Sequence, residues 1–253
     1  MDRICFYIGS RPIYWYGIMM AVAFLACVIH WMALARKQGM SPSLGTDIAF
    51  WLMLSGIVGA RIGYIISNLS FFMAHPWTVF RIDQGGLVFY GGFIACCMAV
   101  VIFARVKKEK FWPFSDFVIS ALPLGHAIGR IGCFLNGCCY GTYCTLPWAV
   151  VFNPNPDIQM GRHPTQLYSS ILNFIIYIVL LKFYFKRKRE GRVLALYLML
   201  YPLSRFFLEF FRGDERMYWY GFSVAQVLSA VLFFIGGVLW FWLPAQNLQH
   251  EKT

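Results

Sequence analysis

Long apolar runs without charge constrain this chain more than any other feature. The stretch from Pro12 to Ala35 is 24 residues with no charged side chain. About 20 helical residues at 1.5 Å rise cross the hydrocarbon core of a bilayer. Similar runs recur, and the pattern predicts seven spans at roughly 13–35, 47–68, 87–105, 113–131, 165–185, 193–212 and 220–243. Composition agrees: 59% of residues are hydrophobic and only 13% are charged, against roughly 25% charged in a soluble domain. A soluble fold of this length has no interior large enough for that apolar content. Disorder is excluded for the same reason. A β-barrel wall would show short alternating segments, not unbroken runs. The expectation is an all-α polytopic membrane protein, a single integral domain over 1–253 without internal repeats.

Charge distribution orients the spans. The net charge is +11, which in a soluble protein would raise nucleic acid as a partner. Here the basic residues sit in short connectors, so no nucleic acid is expected. Arg36 and Lys37 follow the first span, Arg105, Lys107, Lys108 and Lys110 the third, and Lys186 to Arg192 the fifth. These alternate connectors share one side, which the positive-inside rule makes cytoplasmic. The N-terminus is then outside and the C-terminus cytoplasmic. Outer loops fall at about 69–86 and 132–163, with a short one at 213–219, and the larger forms a small head. Arg3 and Arg11 before an apolar run imitate a signal peptide, and Ala21-Val22-Ala23 a cleavage site. The run is of spanning length, however, and reads as an uncleaved helix.

Ionisable residues inside spans are costly and mark function. By helical rise, Arg61 lies about 21 Å along the second span, Arg130 about 25 Å along the fourth and Arg205 about 18 Å along the sixth. These depths are similar and fall in the outer half of the bilayer. Tyr201, Arg205, Glu209 and Arg212 are spaced 4, 4 and 3 apart, so they share one face of the sixth span. Arg61, Arg130, Arg205 and Arg212 outnumber Glu209. Buried cations need an anion, and the abundant anion of a bilayer is lipid phosphate, whose oxygens match the guanidinium fork. The competing role, strongest for Arg61 and Arg212, is snorkelling to the interface.

The run Gly125-His126-Ala127-Ile128-Gly129-Arg130-Ile131-Gly132-Cys133-Phe134-Leu135-Asn136-Gly137-Cys138-Cys139-Tyr140-Gly141 places small faces at helical spacing, then breaks the helix with Gly137 and Gly141. Residues 129–136 resemble the signature Gly-Arg-x-Gly-Asn-Phe-x-Asn of the bacterial prolipoprotein diacylglyceryl transferases. Four further stretches resemble the same family in its order. They are Tyr14-Trp15-Tyr16-Gly17, Gly59-Ala60-Arg61-Ile62-Gly63-Tyr64, Arg162-His163-Pro164-Thr165-Gln166-Leu167-Tyr168, and Arg205-x-x-x-Glu209-x-x-Arg212 preceded by Tyr201.

The resemblance implies an enzyme of the bacterial inner membrane whose site faces the periplasm. Its partners would be phosphatidylglycerol, prolipoprotein signal peptides and the bilayer. The reaction moves diacylglyceryl to the thiol of a lipobox cysteine and releases glycerol phosphate. No cofactor or metal is expected. Arg130 and Arg205 are the candidates for stabilising charge on the leaving phosphate. Tyr16, Arg61, Asn136, Tyr201, Glu209 and Arg212 are expected to bind phosphatidylglycerol with them. Two departures from the family stand out. Tyr90 occupies the place of the family's third-span histidine, in Gly85-Gly86-Leu87-Val88-Phe89-Tyr90-Gly91-Gly92, and Cys133 replaces the first asparagine of the signature. The base that removes the thiol proton is therefore open among His163, Tyr90, His126 and no protein group. Tyr90 and His163 are carried as catalytic candidates. Cys133, Cys138, Cys139 and Cys144 lie on the oxidising side, which allows a disulfide or free packed thiols. Their spacing is a weak match for metal ligation. The rival readings are a non-catalytic anionic-lipid-binding or lipid-moving protein, and a family member with another acceptor. An ion transporter is disfavoured because the charges crowd one leaflet.

Overall fold

The structure, a computed structural model, describes residues 3–81, 85–152, 160–213, 218–219 and 221–243. Parts of the expected outer loops, at 82–84, 153–159 and 214–217, lie outside the described residues.

The chain begins with an antiparallel hairpin, β1 (Ile4–Ile8) and β2 (Arg11–Tyr14), turned at Gly9 with φ of 61°. Helices follow: α1 (Trp15–Lys37), α2 (Ser43–Ser67), short α3 (Leu69–Ala74), a 3₁₀ turn (Pro76–Phe80), α4 (Phe89–Val106), α5 (Phe111–Ile119) and α6 (Leu122–Leu135). Then come α7 (Thr165–Lys186), α8 (Arg192–Glu209), a two-residue ladder of β3 (Tyr218–Trp219) with β4 (Phe222–Ser223), and α9 (Val224–Trp242).

Among the described residues, six helical segments are long and apolar enough to cross a membrane, with α5 and α6 together forming one of them. Each expected span coincides with a helix to within a few residues. The expected sixth span, α8, is 18 residues long but includes Arg192, Arg205 and Glu209, which leaves it less apolar than the rest. The fourth span, expected to be continuous, breaks at Ser120 and Ala121, where Pro123 opens α6. Proline lacks the N–H that would continue the ladder but is tolerated in a first turn. The outer loop expected at 69–86 instead holds α3 and the 3₁₀ turn.

Within the single expected domain the helices group into two compact units, residues 28–118 and residues 1–27 with 119–253. In the first, α2 packs on α4 through glycine. A Cβ on Gly92 would come within 2.9 Å of the Gly56 carbonyl, and Gly59 and Gly91 face each other still more closely. The buried Trp31 ring donates to the Phe117 carbonyl at 3.2 Å. In the second unit α7 packs on both α6 and α8, and α8 on α9. A Cβ on Gly236 would lie 2.9 Å from the Ala195 carbonyl, so α9 approaches the α8 backbone directly. This close packing by small residues is how helices associate without a hydrophobic drive between them. Residues 136–152 and 160–164 form the expected head. It is held by single bridges of Tyr143 and Val150 to Arg162, and the Arg162 guanidinium lies over the rings of Tyr140 and Tyr143 at 4.6 and 3.9 Å.

Candidate functional site

The C-terminal half of α8 supplies the ionic core. Arg205 Nη1 lies 2.9 Å from Glu209 Oε2, one turn apart on the same face, and the Glu209 side chain is only 4% exposed. The other carboxylate oxygen, Oε1, accepts from Ser223 Oγ at 2.9 Å. Ser223 also caps α9, accepting from the Gln226 amide at 3.2 Å while the Gln226 side chain accepts from the Ser223 amide at 2.9 Å. The carboxylate is thus fixed by both helices. The expected common face of four residues ends sooner than the spacing predicts. α8 stops at Glu209, and Phe210, Phe211 and Arg212 continue in tight i to i−3 bonds. Arg212 therefore sits past the helix end, where it bridges to Gly141 of the head.

The C-terminal half of α6 faces this core. Arg130 Nε donates to His126 Nε2 at 3.1 Å, one turn earlier. That bond makes the imidazole an acceptor at Nε2, which is the neutral ring carrying its proton on Nδ1. The His126 ring lies 5.2 Å from the Tyr201 ring, which stacks on Tyr197 at 5.4 Å. Tyr201 lies in the field of Arg130, Arg205 and Arg212 together. Tyr16, on α1, lies against Gly132, where an added Cβ would meet its Cδ2 at 3.5 Å. It also senses the charge of Arg130. Asn136 ends α6. Among the expected residues, Tyr16, Arg130, Asn136, Tyr201, Arg205, Glu209 and Arg212 all belong to the unit of residues 1–27 and 119–253. Three arginines there accompany one buried carboxylate.

Arg61 and Tyr90 belong to the other unit. Arg61 is buried, and its guanidinium donates to the carbonyls of Thr78, Val79, Gly85 and Gly86 at 2.5, 2.9, 3.0 and 3.2 Å. Four of its five N–H groups are spent on backbone, which gives it the work of fastening this loop. Gly86, at φ 78°, is required at the contact, because a Cβ would come 2.7 Å from Arg61 Nη1. Tyr90 stands in the first turn of α4, exposed, with its ring 5.8 Å from Phe89.

His163 is tied into the head. Its Nδ1 lies 3.2 Å from the Tyr168 hydroxyl, which accepts from Trp148 Nε1 at 2.8 Å, and its ring meets Phe211 edge-on at 5.3 Å. Its backbone amide and carbonyl pair with Thr142 and Gly141. These contacts make it a brace of the head.

Two features went unread in the sequence. One is a buried polar stripe on α7: Thr165, Gln166, Ser169, Ser170 and Asn173. Thr165 Oγ1 donates to the Cys139 carbonyl at 3.0 Å, Gln166 Nε2 to that of Cys138 at 2.7 Å, and Ser170 Oγ to that of Ala127 at 2.8 Å. The stripe therefore holds α6 and the turn after it. Polar residues at 3–4 spacing in an apolar span were the available signal. The other is convergence of the Cys133, Cys138 and Cys139 sulfurs, all within 4.8 Å of one another, although their spacing is a weak metal motif. All are thiols, as is Cys144. Hydrogen bonding with Cys133 and Cys138 holds the Cys139 thiol well below the usual thiol range, against the cost of burial, with help from Arg212 and Arg130.

The sequence has counterparts among known proteins. Residues 3–242 match the family model described as prolipoprotein diacylglyceryl transferase. A phosphatidylglycerol–prolipoprotein diacylglyceryl transferase of Fervidobacterium nodosum is 39% identical over 242 residues, covering 91% of this chain and 81% of its own. Enzymes of the same name from Clostridioides difficile and Pasteurella multocida are 36% and 35% identical, each covering 94% of this chain and 94% and 90% of their own lengths. With five motif stretches in order and a match running nearly end to end, the chain belongs to the prolipoprotein diacylglyceryl transferase family.

Proposed function

We propose that this protein transfers the diacylglyceryl group of phosphatidylglycerol to the thiol of the lipobox cysteine in a prolipoprotein signal peptide. The bond from the glyceryl carbon to the phosphate oxygen breaks, and a bond from that carbon to sulfur forms. The thiol proton is lost and glycerol phosphate leaves. Negative charge grows on the phosphate as the carbon–oxygen bond lengthens. Preorganised cations in a water-poor site lower the barrier to such a step. Arg130 and Arg205 fill this role, with Tyr16, Tyr201 and Asn136 donating to headgroup oxygens and Arg212 adding to the positive field. Glu209 holds Arg205 in place without neutralising the set. His126, by accepting from Arg130 Nε, leaves the outer nitrogens of that guanidinium to the phosphate.

The observation that carries this reading is the convergence of Arg130, Arg205 and Arg212 on Tyr201, with only Arg205 paired to the buried Glu209, in a protein of this family with membrane-length apolar helices. Tyr90 takes the positioning place of the family's third-span histidine, and Arg61 supports the loop before it. α8 serves as the sixth of seven spans. The N-terminus lies outside, the C-terminus is cytoplasmic, and the site opens toward the periplasmic side of the inner membrane. The test is direct. Purified protein is given labelled phosphatidylglycerol and a lipobox peptide, and thioether product and glycerol phosphate are measured. Binding of the lipid without either product would leave only a lipid-holding role. Rescue of a strain depleted of its own diacylglyceryl transferase tests the same claim in cells.

A further inference from the structure

We propose that Cys133, Cys138 and Cys139 form a site for one thiophilic d¹⁰ metal ion, Cu(I) or Zn(II). The three sulfurs lie within 4.8 Å of one another, and those of Cys138 and Cys139 are 3.7 Å apart. Three thiolates around an ion with a metal–sulfur bond of about 2.3 Å stand about 3.8–4.0 Å apart, so little contraction is needed. Soft thiolates select these two ions over the hard cations.

The backbone is arranged for convergence. Gly137 turns the chain at φ 66°, and Cys139, which is not glycine, adopts φ 64°. A side chain in that left-handed region is uncommon and costs energy, yet it is what turns the Cys139 sulfur back toward Cys133. The turn is pinned from behind. The carbonyls of Cys138 and Cys139 accept from Gln166 and Thr165, both buried on α7, and the Cys138 amide donates to the Cys133 carbonyl at 3.2 Å. Three thiolates bound to either ion carry net negative charge. Arg130 and Arg212 lie close enough to act on this cluster electrostatically. Cu(I) is satisfied by three sulfurs, whereas Zn(II) takes water as its fourth ligand. Cys144 is not part of the group. Cys133 also follows Arg130 by one turn of α6, so a bound ion stiffens the end of that helix and adds charge beside the phosphate site.

The full chain in detergent, reduced and desalted without oxygen, is titrated with Cu(I) or with Zn(II) against a chromogenic chelator, and with Co(II) as a coloured stand-in for zinc. The expected result is one ion per chain with a sulfur-to-metal charge-transfer band. Affinity should fall at least tenfold in Cys133→Ser, Cys138→Ser and Cys139→Ser but hold in Cys144→Ser. Should a serine variant fail to fold, alkylation of the unaltered protein decides instead, since the ion should shield the three cysteines and leave Cys144 reactive. Absence of binding by both Cu(I) and Zn(II), or an ion retained by the triple serine variant, would overturn the site. Inhibition of transfer with the same midpoint is expected too. That readout rests on the proposed reaction, while ion binding does not, so the two can fail separately.

Discussion

Arg130 donates from Nε to His126, which leaves its two outer nitrogens with no hydrogen bond among the described residues. Its planar fork can grip two phosphate oxygens at once, which a lysine cannot do. Arg130→Ala and Arg205→Ala should each lower transfer at least about 100-fold, the cost of removing one strong donor from a developing oxyanion. Arg130→Lys should recover little of it. Initial rates at matched membrane expression check this, and near-normal turnover in both alanine variants would sink the phosphate clamp. His126 is a positioning residue by the same geometry. His126→Ala should cut turnover about tenfold, close to one lost charged hydrogen bond. His126→Gln should restore most of it, because the amide oxygen can accept from Arg130 Nε. A merely space-filling histidine would not be rescued in this way. At Tyr90, Phe should cost about tenfold if the hydroxyl donates to phosphate, and His should keep substantial activity. Equal, unchanged rates for both would make it an interfacial ring. The arginines stood out in the sequence because a charge in an apolar run is costly, although its pattern alone does not separate binding from snorkelling. The role of His126 was not legible, since a lone histidine at helical spacing looks the same whether it packs or steers a guanidinium. Nor was the fastening of Arg61, whose acceptors are loop carbonyls that leave no mark in side-chain pattern.

Helix α9 meets the site at its N-cap. Ser223 caps the helix and donates to Glu209, which in turn holds Arg205. Ser223→Ala removes the cap, worth about 1 kcal/mol, and a hydrogen bond to a buried charge, worth roughly 1.5–3 kcal/mol. The expected result is a melting temperature lower by several degrees together with weaker use of phosphatidylglycerol, seen as a raised KM. Ser223→Asp should not rescue: it restores a cap acceptor but sets a second carboxylate beside Glu209. A variant with lowered stability and unchanged KM would separate the cap from the site. The spans themselves were readable to within a few residues, because spanning length and lack of charge are local properties of a run. The break between α5 and α6 had a readable cause in Pro123. The β1–β2 hairpin was missed because it is too short to register against membrane-length runs, and its register depends on the turn at Gly9–Ser10. The α7 stripe was missed for a different reason: its hydroxyls and amides answer carbonyls on another helix, and that pairing exists only once the helices pack.

At the scale of the molecule, the basic connectors are the strongest orienting force. Arg36 and Lys37 close α1, Arg105 to Lys110 separate α4 from α5, and Lys186 to Arg192 join α7 to α8. They alternate with connectors that carry fewer basic residues, among them Arg162, whose guanidinium lies over the rings of Tyr140 and Tyr143. A positive connector resists translocation, so these three are expected on the cytoplasmic side. That count requires α8 to cross the membrane despite its charges. If it did not, the connector after α7 and the start of α9 would lie on one side, and α9 would end outside. The expectation is therefore sharp at the C-terminus. A fluorescent protein fused after Thr253 should be bright in cells, as it matures in the cytoplasm, and a periplasm-active phosphatase fused there should be silent. The same phosphatase inserted in the head between Thr145 and Leu146 should be active. A bright C-terminal phosphatase would mean six spans, would take Arg205 and Glu209 out of a crossing helix, and would remove the low-dielectric setting on which their proposed chemistry depends.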